Sequence, residues 1–113
     1  MAGKLLRREV VHGDYLVRGS FGFLQKLRDS REGEDHLLDR TVVFYTSNLG
    51  NSSSHDNNNL PILLAGGAFQ HQGHIAYDRR NNTLLSNLYL RMLHQVGIEA
   101  PSFGASTGIL SDV

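Results

Sequence analysis

The fold class of this chain follows from residues 41–67, which read TVVFYTSNLGNSSSHDNNNLPILLAGG. The stretch opens with Thr41–Ser47, a run of β-branched and aromatic residues that is typical of a strand. It closes with Leu60–Ala65, an apolar run in which Pro61 is acceptable because proline is tolerated at the start of a strand. Neither run alternates polar with apolar residues. Both therefore predict strands covered on both faces, as in a parallel sheet between helices.

Two segments outside this stretch have the periodicity of amphipathic helices. Ser20–Ser30 repeats apolar residues about every three positions, and further apolar residues extend the pattern back toward Asp14. Thr83–Val96 is the stronger helix, because its apolar face is continuous and Gly97 follows where a helix commonly ends. A short strand is also predicted at residues 74–77.

The order of these elements predicts an α/β fold with a partial, mostly parallel sheet flanked by helices. The sequence contains two convincing strands, and a two-stranded sheet alone is marginally stable. We therefore expect residues 1–113 to form a single, incomplete domain, with the rest of the sheet supplied from elsewhere. No internal repeat or linker divides the chain.

Charge and composition exclude several classes of function. The 11 basic residues balance the 11 acidic ones, which argues against nucleic acid or an anionic membrane as a partner. Zero cysteines exclude disulfides, cysteine-ligated zinc and thiol catalysis. No apolar run approaches the ~20 residues of a membrane span, and Met1–Arg8 lacks the apolar core of a signal peptide. An export signal of a longer parent protein would lie upstream.

The polar loop Asn48–Asn59 is the candidate site. Ligands of open α/β sheets bind beyond the carboxyl ends of the strands, where this loop would lie. His55 and Asp56 offer an imidazole and a carboxylate, which are ligands for a divalent metal such as zinc. Histidines of the next polar loop could converge on the same ion. The predicted metal ligands are His55, Asp56 and His74, and the further binding residues are Asn58 and His71.

An alternative interpretation of this loop stays open. A His-Asp pair among serines and asparagines is also typical of a solvated loop held by Asx-type hydrogen bonds. No GxSxG, GxGxxG or GxxxxGK[ST] motif is present. The sequence therefore predicts no nucleophile, and we do not expect this chain alone to be an active enzyme.

Several motifs together resemble one bacterial family. They are LLD-x-T before the first strand, H-D-x-N-N-L-P in the loop and I-L-L-A-G-G in the second strand, all within residues 37–67. The likeness continues through Gly73–His74 and Asn87–Leu90 to Phe103–Gly104. These residues resemble the domain of unknown function 1552 family, also labelled HXXSHH, over about residues 15–110.

The resemblance implies a metal-linked hydrolytic parent. The family is similar to the alkaline phosphatase and sulfatase superfamily, whose nucleophile and several metal ligands lie in an N-terminal part without counterpart here. The superfamily usually has a Ser-Asp-His-Gly turn after the corresponding strand. In this chain the same turn, Ser47–Gly50, reads SNLG, so two expected metal ligands are missing. His55 matches a later metal-site histidine of related families. The resemblance thus implies the C-terminal part of a metal-dependent phosphate or sulfate ester hydrolase-like protein.

A second hypothesis belongs to another class. The chain would be a non-catalytic scaffold or degenerate fragment that needs a partner to complete its sheet, either a missing N-terminal half or a second copy in a homo-oligomer. This hypothesis predicts exposed apolar surface and self-association.

Overall fold

The computed structural model describes residues 13–71 and 73–113, with side chains described from residue 19 onward. The predictions for Met1–Arg8 and for the apolar side chains of residues 15–17 lie outside this part. The elements in chain order are helix α1 (Gly13–Asp29), strands β1 (Arg31–Glu32) and β2 (Asp35–His36), a 3-10 turn (Leu37–Arg40), strands β3 (Val42–Thr46) and β4 (Ile62–Gly66), and helix α2 (Leu85–Gln95).

The main sheet is antiparallel. β3 pairs with β4 so that Phe44 lies opposite Leu64 and Val42 lies opposite Gly66. The predicted mostly parallel sheet is therefore wrong, since the described residues form two two-stranded sheets, both antiparallel. A parallel pair needs a crossover connection, usually a helix, to carry the chain back. Residues 47–61 contain no helix, and the chain reverses direction instead.

The core lies between this sheet and α2. Phe44, Ile62 and Leu64 pack against a cluster centred on Leu88 and Leu110. On the opposite face of the sheet Tyr45 is 36% exposed. The unbroken apolar runs of β3 and β4 thus come from a thin fold in which most positions are half-buried, and not from a sheet enclosed by two helical layers.

Local predictions are mostly confirmed. The helix predicted over Ser20–Ser30 and extended toward Asp14 matches α1, and Thr41–Ser47 contains β3. The helix predicted over Thr83–Val96 contains α2, and Gly97 follows it with φ +88, the left-handed conformation that glycine adopts without steric cost. The strand predicted at residues 74–77 is wrong, because that segment pairs with no strand in the described part of the chain.

The apolar core is small for the number of apolar residues. Among the described residues the buried apolar side chains are Phe69, Leu88, Leu90 and Leu110. The exposed large apolar side chains are Phe21, Phe23, Tyr45, Leu84, Val96, Ile98, Phe103 and Ile109. No helix in the described part is long and apolar enough to cross a membrane.

Candidate functional site

The connection between β3 and β4, residues 47–61, is an ordered loop, here named the His55 loop. Asn51 and Asp56 form a bridge in which the Asp56 amide donates to the Asn51 carbonyl at 3.1 Å. The Asp56 carbonyl accepts from the amides of Gly50 and Asn51 at 2.7 and 3.3 Å. A side chain at Gly50 would collide with the backbone carbonyl of Asn58, so glycine allows the two halves of the loop to lie this close.

Asx-type hydrogen bonds order the tip of the loop. The Asn51 Oδ1 atom accepts from the amides of Ser53 and Ser54 at 3.0 and 3.4 Å. The Asp56 Oδ1 atom accepts from the Asn58 amide at 2.9 Å and from Asn58 Nδ2 at 2.8 Å. The structure therefore brings Asp56 and Asn58 together, and one oxygen of the Asp56 carboxylate already serves the loop itself.

His55 sits at this tip in a strained conformation. Its φ is +53, a left-handed value that costs an L-residue with a side chain about 1–2 kcal/mol, and its side chain is exposed. Asn59 has the same φ, and its Oδ1 atom accepts from Asn82 Nδ2 at 2.7 Å. Residues held in such conformations by their surroundings cluster at functional sites. His55 is therefore the strongest candidate residue in the loop.

His71 lies at the other end of the sheet. Its Nε2 atom is 3.2 Å from the carbonyl oxygen of Gly66, and Gly66 pairs with Val42, away from the end where the His55 loop joins the strands. A five-residue strand spans roughly 13 Å. The expected convergence of His55 and His71 required a parallel sheet, and antiparallel pairing places His71 at the end opposite the His55 loop. The second loop returns to the His55 loop at Asn82, which bonds Asn59. His74 is exposed and lines a cavity described below.

A divalent metal such as zinc lacks a complete ligand set in the described part of the chain. No group of three or more His, Asp or Glu side chains there could hold a metal ion. Asp56 and Asn58 are in contact, whereas His71 bonds the backbone at the far end of β4. Metal binding stays a prediction that requires further ligands from outside these residues.

A cavity of about 370 Å³ lies beside β4 and was not predicted from the sequence. β4 forms one wall, and residues of the following loop, within 70–71 and 73–77, form the other. We name it the β4 slot. Its lining residues include Phe21, Ile62, Leu63, Leu64, Gln70, His71, His74, Ile75, Tyr77, Leu88, Leu110 and Val113. Two apolar segments, LPILL and HIAY, are separated by a polar connection. This pattern is the sequence signal that could have indicated the slot.

Tyr77 fixes the outer wall of this slot. Its phenol oxygen lies 2.9 Å from each carboxylate oxygen of Asp112. Burial raises the pKa of the Tyr77 phenol, and the hydrogen bond to Asp112 and its negative charge raise it further. The phenol therefore remains a neutral donor well into the alkaline range.

A second set of contacts holds the turn after β4 against α2. Gly66, Gly67 and Ala68 all have φ between +58 and +70. The Gly67 carbonyl accepts from Gln95 Nε2 at 2.6 Å. The guanidinium of Arg91 lies 4.9 Å from the centre of the Phe69 ring, a cation–π contact. These contacts fix the direction in which the chain enters the outer wall of the β4 slot.

Comparison with known protein families, curated proteins and solved structures finds no match to this chain. The resemblance of residues 15–110 to the domain of unknown function 1552 family stays a prediction from its motifs. The remaining indications of function are the geometry of the His55 loop and of the β4 slot.

Proposed function

We propose that this chain is the C-terminal part of a metal-dependent phosphate or sulfate ester hydrolase-like protein and supplies the His55 loop to a composite site. The supporting observation is the conformation of His55. Backbone and Asx-type bonds hold a non-glycine residue at φ +53 with its side chain exposed. The exposed side chain of His55 buries no surface that would offset the cost of this conformation. We therefore attribute the conformation to the binding of a ligand by the imidazole.

The imidazole of His55 offers one N–H donor and one lone pair when it is neutral. In the composite site it would donate to an oxygen of an anionic ester, or it would be one ligand of the divalent metal that the resemblance implies. Asp56 and Asn58 stabilise the loop conformation through their mutual hydrogen bonds. They would act as positioning residues for the imidazole of His55. The nucleophile and the remaining ligands would come from the parent protein.

A zinc titration followed through the imidazole NMR signals of the 6 histidines tests this assignment. A single protein ligand binds the ion weakly, so we expect the His55 signals to shift at a lower zinc concentration than those of His94. Only high zinc concentrations should raise the melting temperature measured by circular dichroism, because a ligand of the native state stabilises it. His55→Ala should abolish the rise.

His94→Ala is the matched control, since His94 is also an exposed histidine, with Nε2 2.7 Å from the Ala100 carbonyl oxygen. The rise should survive in this variant. A rise that survives in His55→Ala, or His55 signals that respond no earlier than those of His94, would contradict the proposal.

The uncovered apolar surface favours a second candidate, a non-catalytic scaffold whose sheet is completed by a partner chain. In the described part of the chain, four apolar side chains are buried and eight large ones are exposed. A two-stranded sheet with so small a core is marginal by itself. Sedimentation equilibrium tests the homo-oligomeric form of this candidate. A mass that rises with concentration would support it, and a monomer at every concentration would contradict it.

A further inference from the structure

Arg91 of α2 carries a half-buried positive charge that no carboxylate balances. Its side chain is partly buried, and no Asp or Glu in the described part of the chain forms an ion pair with it. Arg40, by contrast, contacts both Glu32 and Asp35. A charge that is partly removed from water is costly unless an opposite charge accompanies it. Arg91 therefore has a place for a negatively charged ligand.

Two contacts fix the guanidinium of Arg91. Its Nη1 atom donates to Gln95 Oε1 at 2.7 Å, and Gln95 Nε2 donates in turn to the Gly67 carbonyl at 2.6 Å. One face of the guanidinium lies 4.9 Å from the centre of the Phe69 ring, which is 6% exposed. A guanidinium is a planar fork of several N–H donors, and Gln95 occupies one of them. The remaining donors have no acceptor among the described residues.

The neighbouring backbone offers a further donor. Ala68 lies between Gly67 and Phe69, the two residues that contact Gln95 and Arg91. Its amide donates to no acceptor in the parts of the chain that the structure describes, and the residue is exposed. Backbone amides of tight turns contribute to anion-binding sites.

These donors define the class of ligand. The fork of an arginine matches two oxygens of a carboxylate or a phosphate, and charge-assisted hydrogen bonds of this kind are among the strongest in proteins. Because Phe69 and Gln95 already restrict the Arg91 side chain, binding costs less side-chain entropy than it would at a freely rotating arginine.

We propose that Arg91, together with the Ala68 amide, binds the oxyanion group of a small ligand, which is a phosphate, a sulfate or a carboxylate. The oxyanion would contact the edge of the guanidinium that Gln95 leaves free. The turn after β4 lies at the end of the sheet opposite the His55 loop. This inference therefore goes beyond the proposed function and depends neither on His55 nor on a metal.

Inorganic phosphate, sulfate and acetate are the probes, each titrated into the full chain at constant ionic strength with sodium chloride as the reference salt. Binding is followed through the NMR signals of the Arg91 Nε–H group and the Ala68 amide. The His71 ring, 6.1 Å from the Phe69 ring, is a further reporter. We expect saturable shifts with the oxyanions and none with chloride, and the order of their affinities identifies the group that the site prefers.

Substitutions separate the geometry of Arg91 from its charge. Arg91→Lys keeps the charge but loses the fork, and it should weaken oxyanion binding about tenfold, roughly 1.4 kcal/mol. Gln95→Glu keeps Arg91 but places a carboxylate against Nη1, and this internal counter-charge should weaken binding at least as much. Arg79→Lys is the matched control, because Arg79 is exposed and also forms no ion pair with a described residue. Thermal melts confirm that each variant is folded.

Four results would overturn the proposal. One is the absence of saturable shifts with every oxyanion, and another is an equal response to chloride, which would mean screening of surface charge. The third is equal effects of Arg91→Lys and Arg79→Lys. The fourth is self-association that Arg91→Lys abolishes without any oxyanion binding, which would make a carboxylate of a second copy the ligand. The zinc experiments on His55 are independent of all four results.

Discussion

Tyr77 and Asp112 are joined by a hydrogen bond across 35 positions of the chain, with the phenol oxygen 2.9 Å from both carboxylate oxygens. Tyr77 stands in the outer wall of the β4 slot and Leu110, near Asp112, is part of the buried cluster. The bond therefore holds the last residues of the chain and one wall of the slot in a fixed relation.

Tyr77→Phe should destabilise the chain by about 1 kcal/mol near pH 7, because it leaves the half-buried Asp112 carboxylate without its donor. The pKa of Tyr77 is raised by folding from 10.0, so its contribution is complete below pH 10 and is lost as the pH rises above it. Thermal melts of both proteins between pH 7 and 11 measure this. The difference between them should shrink above pH 10, and a constant difference would contradict the assignment.

Gly66→Ala should cost more stability than Gly33→Ala. Both glycines have φ near +70, at +70 and +66, so each substitution carries the left-handed penalty of about 1–2 kcal/mol. A side chain at Gly66 would also collide with the carbonyl oxygens of Thr41 and Leu38, whereas the space at Gly33 is open. We expect an additional cost of about 1–3 kcal/mol at Gly66. Urea unfolding of the two variants measures it, and equal midpoints would show that the collision is relieved.

Gln95→Ala should destabilise the chain by about 1 kcal/mol, since it removes the donor to the Gly67 carbonyl at 2.6 Å. Gln25→Ala, on the exposed side of α1, is the control and should change the free energy of unfolding by less than about 0.5 kcal/mol. Chemical denaturation compares the two. Equal effects would mean that the turn after β4 does not depend on this contact.

His55→Gly should stabilise the chain by about 0.5–1 kcal/mol, because glycine adopts a φ of +53 without the penalty of a side chain. Asn57→Gly in the same loop is the control, since the φ of Asn57 is not positive, and it should be neutral or slightly destabilising. Melting temperatures of both variants test the expectation. A lower melting temperature for His55→Gly would show that the imidazole itself supports the loop.

The elements that the sequence predicts well are those whose signal is local. The periodicity of Ser20–Ser30 and Thr83–Val96 indicated α1 and α2 because a helix satisfies its backbone within the segment. The direction of β3 relative to β4 is not local, since it depends on how residues 47–61 return the chain. The β1–β2 hairpin was missed although Gly33 begins its two-residue turn, a position where glycine is a hairpin signal.

The candidate site likewise contains features that depend on local sequence and features that depend on the tertiary structure. The Asx-type bonds of Asn51 and Asp56 follow from residue type and close spacing. The left-handed conformation of His55 depends on the bridge around it, and the β4 slot depends on residues as distant as Phe21 and Val113. No short window of the sequence contains those relations. A prediction of the slot would require the tertiary arrangement first.

The Asn51–Asp56 bridge also bears on the order in which the hairpin forms. Closing a loop costs entropy that grows with the number of residues enclosed, and the bridge encloses only a short turn within the longer connection from Thr46 to Ile62. Once the bridge exists, the pairs nearest the loop lie closer together than in the free chain. We therefore expect strand pairing to begin beside the loop, at Thr46 and Ile62, and to extend toward Val42 and Gly66. The loop that presents His55 would then form before the strands that support it.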